Sequence, residues 1–252
     1  KLGRDVLLKL EFLQETGSFK LRGATNAMLS LEPSEREFGV VTASSGNHGP
    51  ALALAATRLG IDSTICLSNL VPKNKILNVR SNGGTTCVEG RDYDESLDVC
   101  MQLVKDNNMH LVHPFDNPSV VAGAGAIGLE LAEDASDVDC ILVPLSGGGL
   151  LAGIAVALKA RRSKARLIGV TMENGASMIQ SLKAGKPIDV QEVETIADAL
   201  GGNIGLDNNW TFETVRDLVD DCVTVSDNQI KEAMRALFYS EGMMVEGAAA
   251  VG

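Results

Sequence analysis

The chain has 252 residues, with 33 acidic against 22 basic side chains, a formal charge of −11 and only 4% aromatics, so it offers neither the basic face nor the stacking platform that nucleic acid requires. No run is long enough to span a bilayer, and the length suits one large α/β unit or two modest lobes. Cys66, Cys87, Cys100, Cys140 and Cys222 are odd in number, widely spaced and set in apolar segments, which predicts reduced core thiols in a cytoplasmic protein without a disulfide frame or zinc knuckle.

In chain order, Val6 to Leu10 predicts a short buried strand, Gly17 a turn with a backbone conformation closed to other residues, and Phe19 to Leu29 a helix. Gly39 to Ala43 predicts a strand, Ser44 to Gly49 a loop, and Pro50 to Leu59 an alanine-rich helix. Strands are expected at Ser63 to Leu67, Thr85 to Val88 and His110 to Val112, with helices at Lys73 to Arg80 and Asp92 to Lys105 between them. This alternation implies parallel sheet covered by helices on both faces. There follow a helix from Ser119 to Glu133, a strand from Cys140 to Pro144, the loop Ser146-Gly147-Gly148-Gly149 and a helix to about Ala160. Arg166 to Met172 and Cys222 to Val225 read as late strands and Asn228 to Tyr239 as a helix, while Gly175 to Asn209, weakly periodic, reads as loops at a site or interface. Met243 and Met244 are expected in the core, Trp210 as a packing anchor, and His110 and His113 in structural roles. The chain opens without Met and stops at Glu246 to Gly252, which reads as the opening of a helix, so the sequence reads as a piece of a longer protein.

Lys20 stands at a strand-loop-helix junction, where the free N–H groups and dipole of the helix start disfavour a cation. A neutral amine is the form that condenses with an aldehyde, and desolvation by Phe19 would favour it. Ser146-Gly147-Gly148-Gly149 joins a buried strand to a helix start, so several backbone N–H groups can converge on one anion. It lacks the Lys-Ser/Thr of a nucleoside-triphosphate loop and the spacing of a dinucleotide fingerprint, which points to a monophosphate; a tight βα turn is the plain alternative. Ser44-Ser45-Gly46-Asn47-His48 is a second strand-to-helix loop, able to bind a carboxylate through its N–H groups while Asn47 donates to a ring oxygen and a Ser hydroxyl carries protons. His48 reads as a loop hydrogen-bonder, and Glu11 either as a surface charge or as a support for the lysine loop.

Lys9-Leu10-Glu11, Gln14 and Thr16-Gly17-Ser18-Phe19-Lys20-Leu21-Arg22-Gly23-Ala24 resemble the cofactor-lysine motif of the fold-type II pyridoxal-phosphate enzymes, in the threonine/serine dehydratase and serine racemase branch. Ser44 to Gly49, His113-Pro114-Phe115, Ala122-Gly123 and Val143 to Gly153 match the same branch in the same order, so the resemblance covers nearly the whole chain. It implies an α/β fold of two lobes of parallel-rich sheet flanked by helices, like the tryptophan synthase β subunit. A discontinuous large cofactor lobe would take residues 1–41 and 119–252, with its C-terminal part missing, and a small substrate lobe residues 42–118. It further implies pyridoxal 5'-phosphate bound covalently by Lys20, with Phe19 on its ring, Asn47 on the ring oxygen, and Ser146, Gly147, Gly148, Gly149 and Leu150 around its phosphate. Ser45 would transfer protons, and Ser44, Ser45, Asn47 and His48 would bind a small amino acid substrate. The family's partner for the pyridine nitrogen would lie beyond Gly252. The cation site of many relatives has carboxylates where this chain has Thr171 and Ser177, so no metal is expected.

The implied activity is that of a cytoplasmic, homodimeric dehydratase/ammonia-lyase that removes water from a β-hydroxy-α-amino acid, giving a 2-oxo acid and ammonia, with racemisation as a side activity. Gly169-Val170-Thr171-Met172-Glu173 looks like the dehydratases of hydroxyectoine utilisation. Two alternatives share the fold: a β-replacement enzyme of the cysteine synthase kind, and a non-catalytic ligand-sensing domain.

Overall fold

In the computed structural model, which describes residues 6–252, strand, loop and helix alternate to build two sheets, each wholly parallel. The first half of the chain runs α1 (Lys20–Ser30), α2 (Pro33–Arg36), β1 (Val40–Ala43), α3 (His48–Arg58), β2 (Ser63–Leu67), α4 (Lys73–Ser81), β3 (Thr85–Val88), α5 (Tyr93–Asn107) and β4 (His110–Leu111). The second runs α6 (Pro118–Asp134), β5 (Cys140–Pro144), α7 (Gly149–Ala160), β6 (Arg166–Met172), α8 (Ser177–Ala184), α9 (Thr211–Leu218), β7 (Asp221–Val225) and α10 (Asp227–Glu241). The strand orders are β3-β2-β1-β4 and β5-β6-β7. β1 is central and buried along its whole length, as its unbroken Val-Val-Thr-Ala run requires of a strand covered on both faces.

Helix α1 lies where the two halves meet. Its Leu21, Ala24, Ala27 and Met28 enter one core with Leu52 and Ala56 of α3, and with Val120 of α6. The crossing is close because neither helix carries a side chain there: a Cβ on Gly123 would stand 2.5 Å from the Arg22 carbonyl oxygen and 2.7 Å from the Gly23 Cα. α6 crosses α7 in the same way, with Gly153 facing the Val121 carbonyl oxygen at 2.4 Å from a would-be Cβ. The starts of α1 and α7 are thereby brought together.

Five expectations are corrected. Val6 to Leu10 forms no strand, and Val6, Leu7 and Leu8 are exposed; an apolar run becomes a strand only beside a free sheet edge, and none of the described strands pairs with it. The lobe boundary expected at residue 42 falls inside β1, all four residues of which pair in the first sheet. Trp210 is half exposed and Met244 is 81% exposed, so neither is a core anchor. Cys140 is exposed, although Cys66 and Cys100 are buried, and all five thiols are free. Finally, residues 175–209 include α8 and a 3-10 turn at Asp198–Leu200, and Glu246 is followed by a 3-10 turn at Gly247–Ala250. Helix α9, unread in the sequence, has no capping side chain at Trp210, the usual place for that signal; Asn208 and Asp116 accept from its first N–H groups instead. No helix among the described residues is long and apolar enough to cross a membrane.

Candidate active site

Gly17, at φ +77°, turns the chain so that Lys20 opens α1. The Lys20 ammonium position has no carboxylate partner among the described residues; Nζ donates to the Pro114 carbonyl oxygen at 2.8 Å and lies 5.4 Å from the centre of the Phe19 ring. Burial without a counter-charge lowers its pKa from 10.5 to about 8. Lys20 and Phe19 line a narrow cavity together with Pro114, Ala124, Gly149 and Leu150.

The glycine loop is shaped by what packs behind it. Gly148 has φ +88°, and a Cβ there would lie 2.8 Å from Met178 Cε and 3.0 Å from Thr211 Cβ. A Cβ on Gly147 would lie 2.5 Å from the Phe115 ring. Only glycine fits at either place. Among the described residues, no acceptor meets the backbone N–H groups of Gly147, Gly148, Gly149 or Leu150, which stand at the positive end of α7.

The Ser44 to His48 loop presents its groups unequally. Ser44 is buried, and its hydroxyl accepts from the Gly49 N–H at 3.2 Å as a helix cap. Ser45 is exposed and makes no side-chain hydrogen bond among the described residues. Asn47 Nδ2 donates to Glu246 Oε1 at 2.8 Å. The His48 ring is buried with Nε2 3.3 Å from the Val112 carbonyl oxygen; a carbonyl only accepts, so the proton sits on Nε2, and Nδ1 is left without a partner. Burial first, then the Lys20 charge, lower its pKa to about 3, so this imidazole is neutral. His113 is likewise held neutral, its pKa lowered to about 4 by burial, and its Nδ1 accepts from the Asp116 N–H at 2.9 Å. Both rings therefore bind neutral groups and do not act as cations.

Glu11 is a support and not a loose surface charge: its two oxygens accept from Arg22 at 2.8 and 2.9 Å, and Arg22 also donates to Glu130 of α6 at 2.6 and 2.9 Å. Thr171 is buried and donates to Met172 Sδ, and the Ser177 hydroxyl donates to the Gly202 carbonyl at 3.0 Å. Sequence reasoning missed three contributors: the Pro114 carbonyl, Asp116 and Glu246. Only the backbone of Pro114 is used, and Glu246 lies 199 positions from its partner.

Pyridoxal phosphate fits these residues. A buried, uncompensated amine suits an aldehyde, and a glycine loop with four free N–H groups at a helix start suits a phosphate ester, the two being joined by one cavity. The sequence matches the model of the pyridoxal-phosphate dependent enzymes over residues 1–252. The chain belongs to this family. Within it, a Sinorhizobium fredii protein provisionally named threonine dehydratase is 49% identical over 250 residues, covering 99% of this chain and 75% of its own. The L-threonine ammonia-lyase of Thermotoga maritima is 41% identical, covering 99% of this chain and 62% of its own. Maize serine racemase superposes with a TM-score of 0.91 at 36% identity, over 96% of this chain and 73% of its own. The family thus supplies pyridoxal phosphate as cofactor, and the fold is that of its fold-type II branch of threonine/serine dehydratases and serine racemases.

Proposed function

We propose that the chain carries the active site of a dehydratase/ammonia-lyase acting on a β-hydroxy-α-amino acid. The observation that carries the reading is that Lys20 and the α7 end of the glycine loop, Gly149 and Leu150, line one cavity. Bound pyridoxal phosphate supplies an electron sink for the pair left on the α-carbon. Gly147 to Leu150 and Ser146 would hold its phosphate, Phe19 would pack on its ring and the Asn47 amide would donate to its ring oxygen. The N–H groups of the Ser44 to His48 loop bind the substrate carboxylate. Lys20, whose pKa burial lowers to about 8, holds a larger share of free amine near neutral pH than an ordinary lysine and takes the α-proton on one face. The free, exposed Ser45 hydroxyl serves the other face, which admits racemisation. The proton that Lys20 takes up balances the one that the leaving hydroxyl requires, so loss of water leaves an enamine, whose hydrolysis releases a 2-oxo acid and ammonia.

In this reading, the segment from the start of β1 to about residue 118 forms a small lobe that closes over the substrate and excludes water; the protein works as a homodimer in the cytoplasm, and the substrate is serine, threonine, hydroxyaspartate or a hydroxyectoine-derived amino acid. The deciding experiment is an assay of 2-oxo acid and ammonia across both enantiomers of these substrates with the cofactor-loaded protein. Release from at least one supports the reading. A shifted cofactor absorbance without ammonia would point to a sensor instead, and capture of an added thiol to β-replacement.

A further inference from the structure

Asp116 touches neither the amine nor the cavity, yet it joins the segments that shape both. Its Oδ1 accepts from the N–H groups of Trp210 and Thr211, and its Oδ2 from that of Asn209, each at 2.9 Å. These are donors at the start of α9, where Asn208, from the same stretch of chain, accepts only the next one, the Phe212 N–H, on its Oδ1 at 2.8 Å. A carboxylate is a favourable acceptor at a helix start, where the free N–H groups and the dipole both favour an anion. The cap comes from a loop 95 positions away.

Each tethered segment forms one wall of the glycine loop. Phe115, next to Asp116, backs Gly147 and Gly149: would-be Cβ atoms there lie 2.5 Å from its ring and 3.1 Å from its Cα. Thr211, held by Asp116 Oδ1, backs Gly148 at 3.0 Å from a would-be Cβ. The same short segment reaches Lys20 at its other end, since the Pro114 carbonyl accepts from Nζ at 2.8 Å. Its internal turn is fixed by His113 Nδ1, which accepts from the Asp116 N–H at 2.9 Å.

We propose that Asp116 is a positioning residue: by clamping residues 113–116 to the start of α9, it sets the place of the Lys20 amine relative to the glycine loop. This rests on the reading that Lys20 and the loop hold opposite ends of one cofactor. With the clamp released, Phe115 and Thr211 separate, the loop loses its backing and the Pro114 carbonyl drifts from Nζ.

The test compares Asp116→Ala and Asp116→Asn with Ser226→Ala in the full chain. Ser226 accepts from the Gln229 N–H as the cap of α10, so its loss also removes a helix cap, but one with no side-chain hydrogen bond, among the described residues, to the glycine loop or to residues 113–116. Three quantities are read: thermal midpoint, pyridoxal-phosphate dissociation constant from the absorbance of the lysine-bound cofactor, and calorimetric affinity of the cofactor-free protein for inorganic phosphate. Displacing bound groups by about 1 Å is enough for large losses, so Asp116→Ala should weaken both affinities about tenfold or more, with kcat falling further than KM. Asp116→Asn keeps an oxygen for two of the three N–H groups and should fall between; it also reports if the alanine variant fails to fold. Ser226→Ala should lower the midpoint and leave both affinities unchanged. If both Asp116 variants lowered the midpoint only, with phosphate and cofactor affinities at the wild-type value, Asp116 would be a helix cap and nothing more. Failure of the underlying reading looks different: the wild-type protein, and not only the variants, would show no cofactor absorbance that Lys20→Ala abolishes.

Discussion

Asn47 Nδ2 donates to Glu246 Oε1 at 2.8 Å, and that bond decides which way the amide faces. A carboxylate only accepts, so the NH2 group turns toward Glu246. The second hydrogen on the same nitrogen remains for a ring oxygen in the cleft, and the charge on Glu246 polarises it into a better donor. Lys75 and Asp198 pair beside it at 3.4 Å, so two polar links run between the first-sheet helices and the later loops at this point.

Glu246→Ala should free the amide to rotate and weaken cofactor retention several-fold, whereas Glu246→Gln, which keeps an acceptor oxygen, should stay near wild type. Titration of the cofactor-free protein with pyridoxal phosphate, followed by absorbance, measures both. Equal loss in the two variants would mean that charge, not orientation, is what Glu246 supplies.

Lys20 makes the cofactor-free protein's stability depend on pH in an unusual direction. Its folded pKa of about 8 lies below the ordinary 10.5, so between those values the unfolded chain binds more protons than the folded one. Stability therefore rises with pH through that window. Lys20→Met removes the titrating group and should show a flatter profile from pH 8 to 10.5 in urea unfolding. A wild-type profile parallel to that of the variant would show the amine to be solvated.

Much of this was legible in the sequence. The strands Ser63–Leu67, Thr85–Val88, Cys140–Pro144 and Arg166–Met172 follow from apolar runs closed by turn residues, and the glycine loop and Lys20 motif stand in local windows. What escaped was non-local. α9 is capped by Asp116 from another loop, Asn47 is oriented by Glu246, and Val6 to Leu10 looks like a strand because hydropathy reports burial preference and not the presence of a sheet edge. The β1 boundary was misplaced for a related reason: which sheet a strand joins is set by its partners, Ser63 and His110, and not by its own residues.

Arg22 should hold the lysine loop in place. It forks to Glu11 before the loop and to Glu130 on α6, with only 18% of its side chain exposed. Arg22→Ala leaves two carboxylates facing each other and should cost about 1–3 kcal/mol in urea unfolding at neutral pH. Arg22→Lys should not restore it, because an ammonium cannot bond two carboxylates bidentately. Arg22, its first cause, holds the Glu130 carboxyl below its ordinary 4.5, so this stabilisation is present above that pH and lost as the pH falls further. A difference between wild type and Arg22→Ala that persisted undiminished in acid would assign the loss to packing.

The last prediction concerns which face of the substrate each group serves. Lys20 is fixed in the cavity by the Pro114 carbonyl, whereas Ser45 stands exposed on the loop before α3, bonded to no side chain or backbone group among the described residues. Its neighbour Ser44 is committed, its hydroxyl accepting from the Gly49 N–H, so Ser45 is the hydroxyl of this loop left free to move a proton. In the proposed two-face mechanism each enantiomer has its own α-proton acceptor, Lys20 or Ser45, and racemisation needs both. Ser45→Ala should then suppress racemisation, and elimination from one enantiomer, by about 10²-fold or more, the usual contribution of a positioned acid or base. Elimination from the other enantiomer should stay within a few-fold of wild type. Ser44→Ala, by contrast, removes a cap and should lower thermal stability without choosing between enantiomers. Parallel ammonia-release assays on L- and D-serine settle the point, and unchanged rates for both in Ser45→Ala would end the two-face mechanism and leave Lys20 as the site's single base.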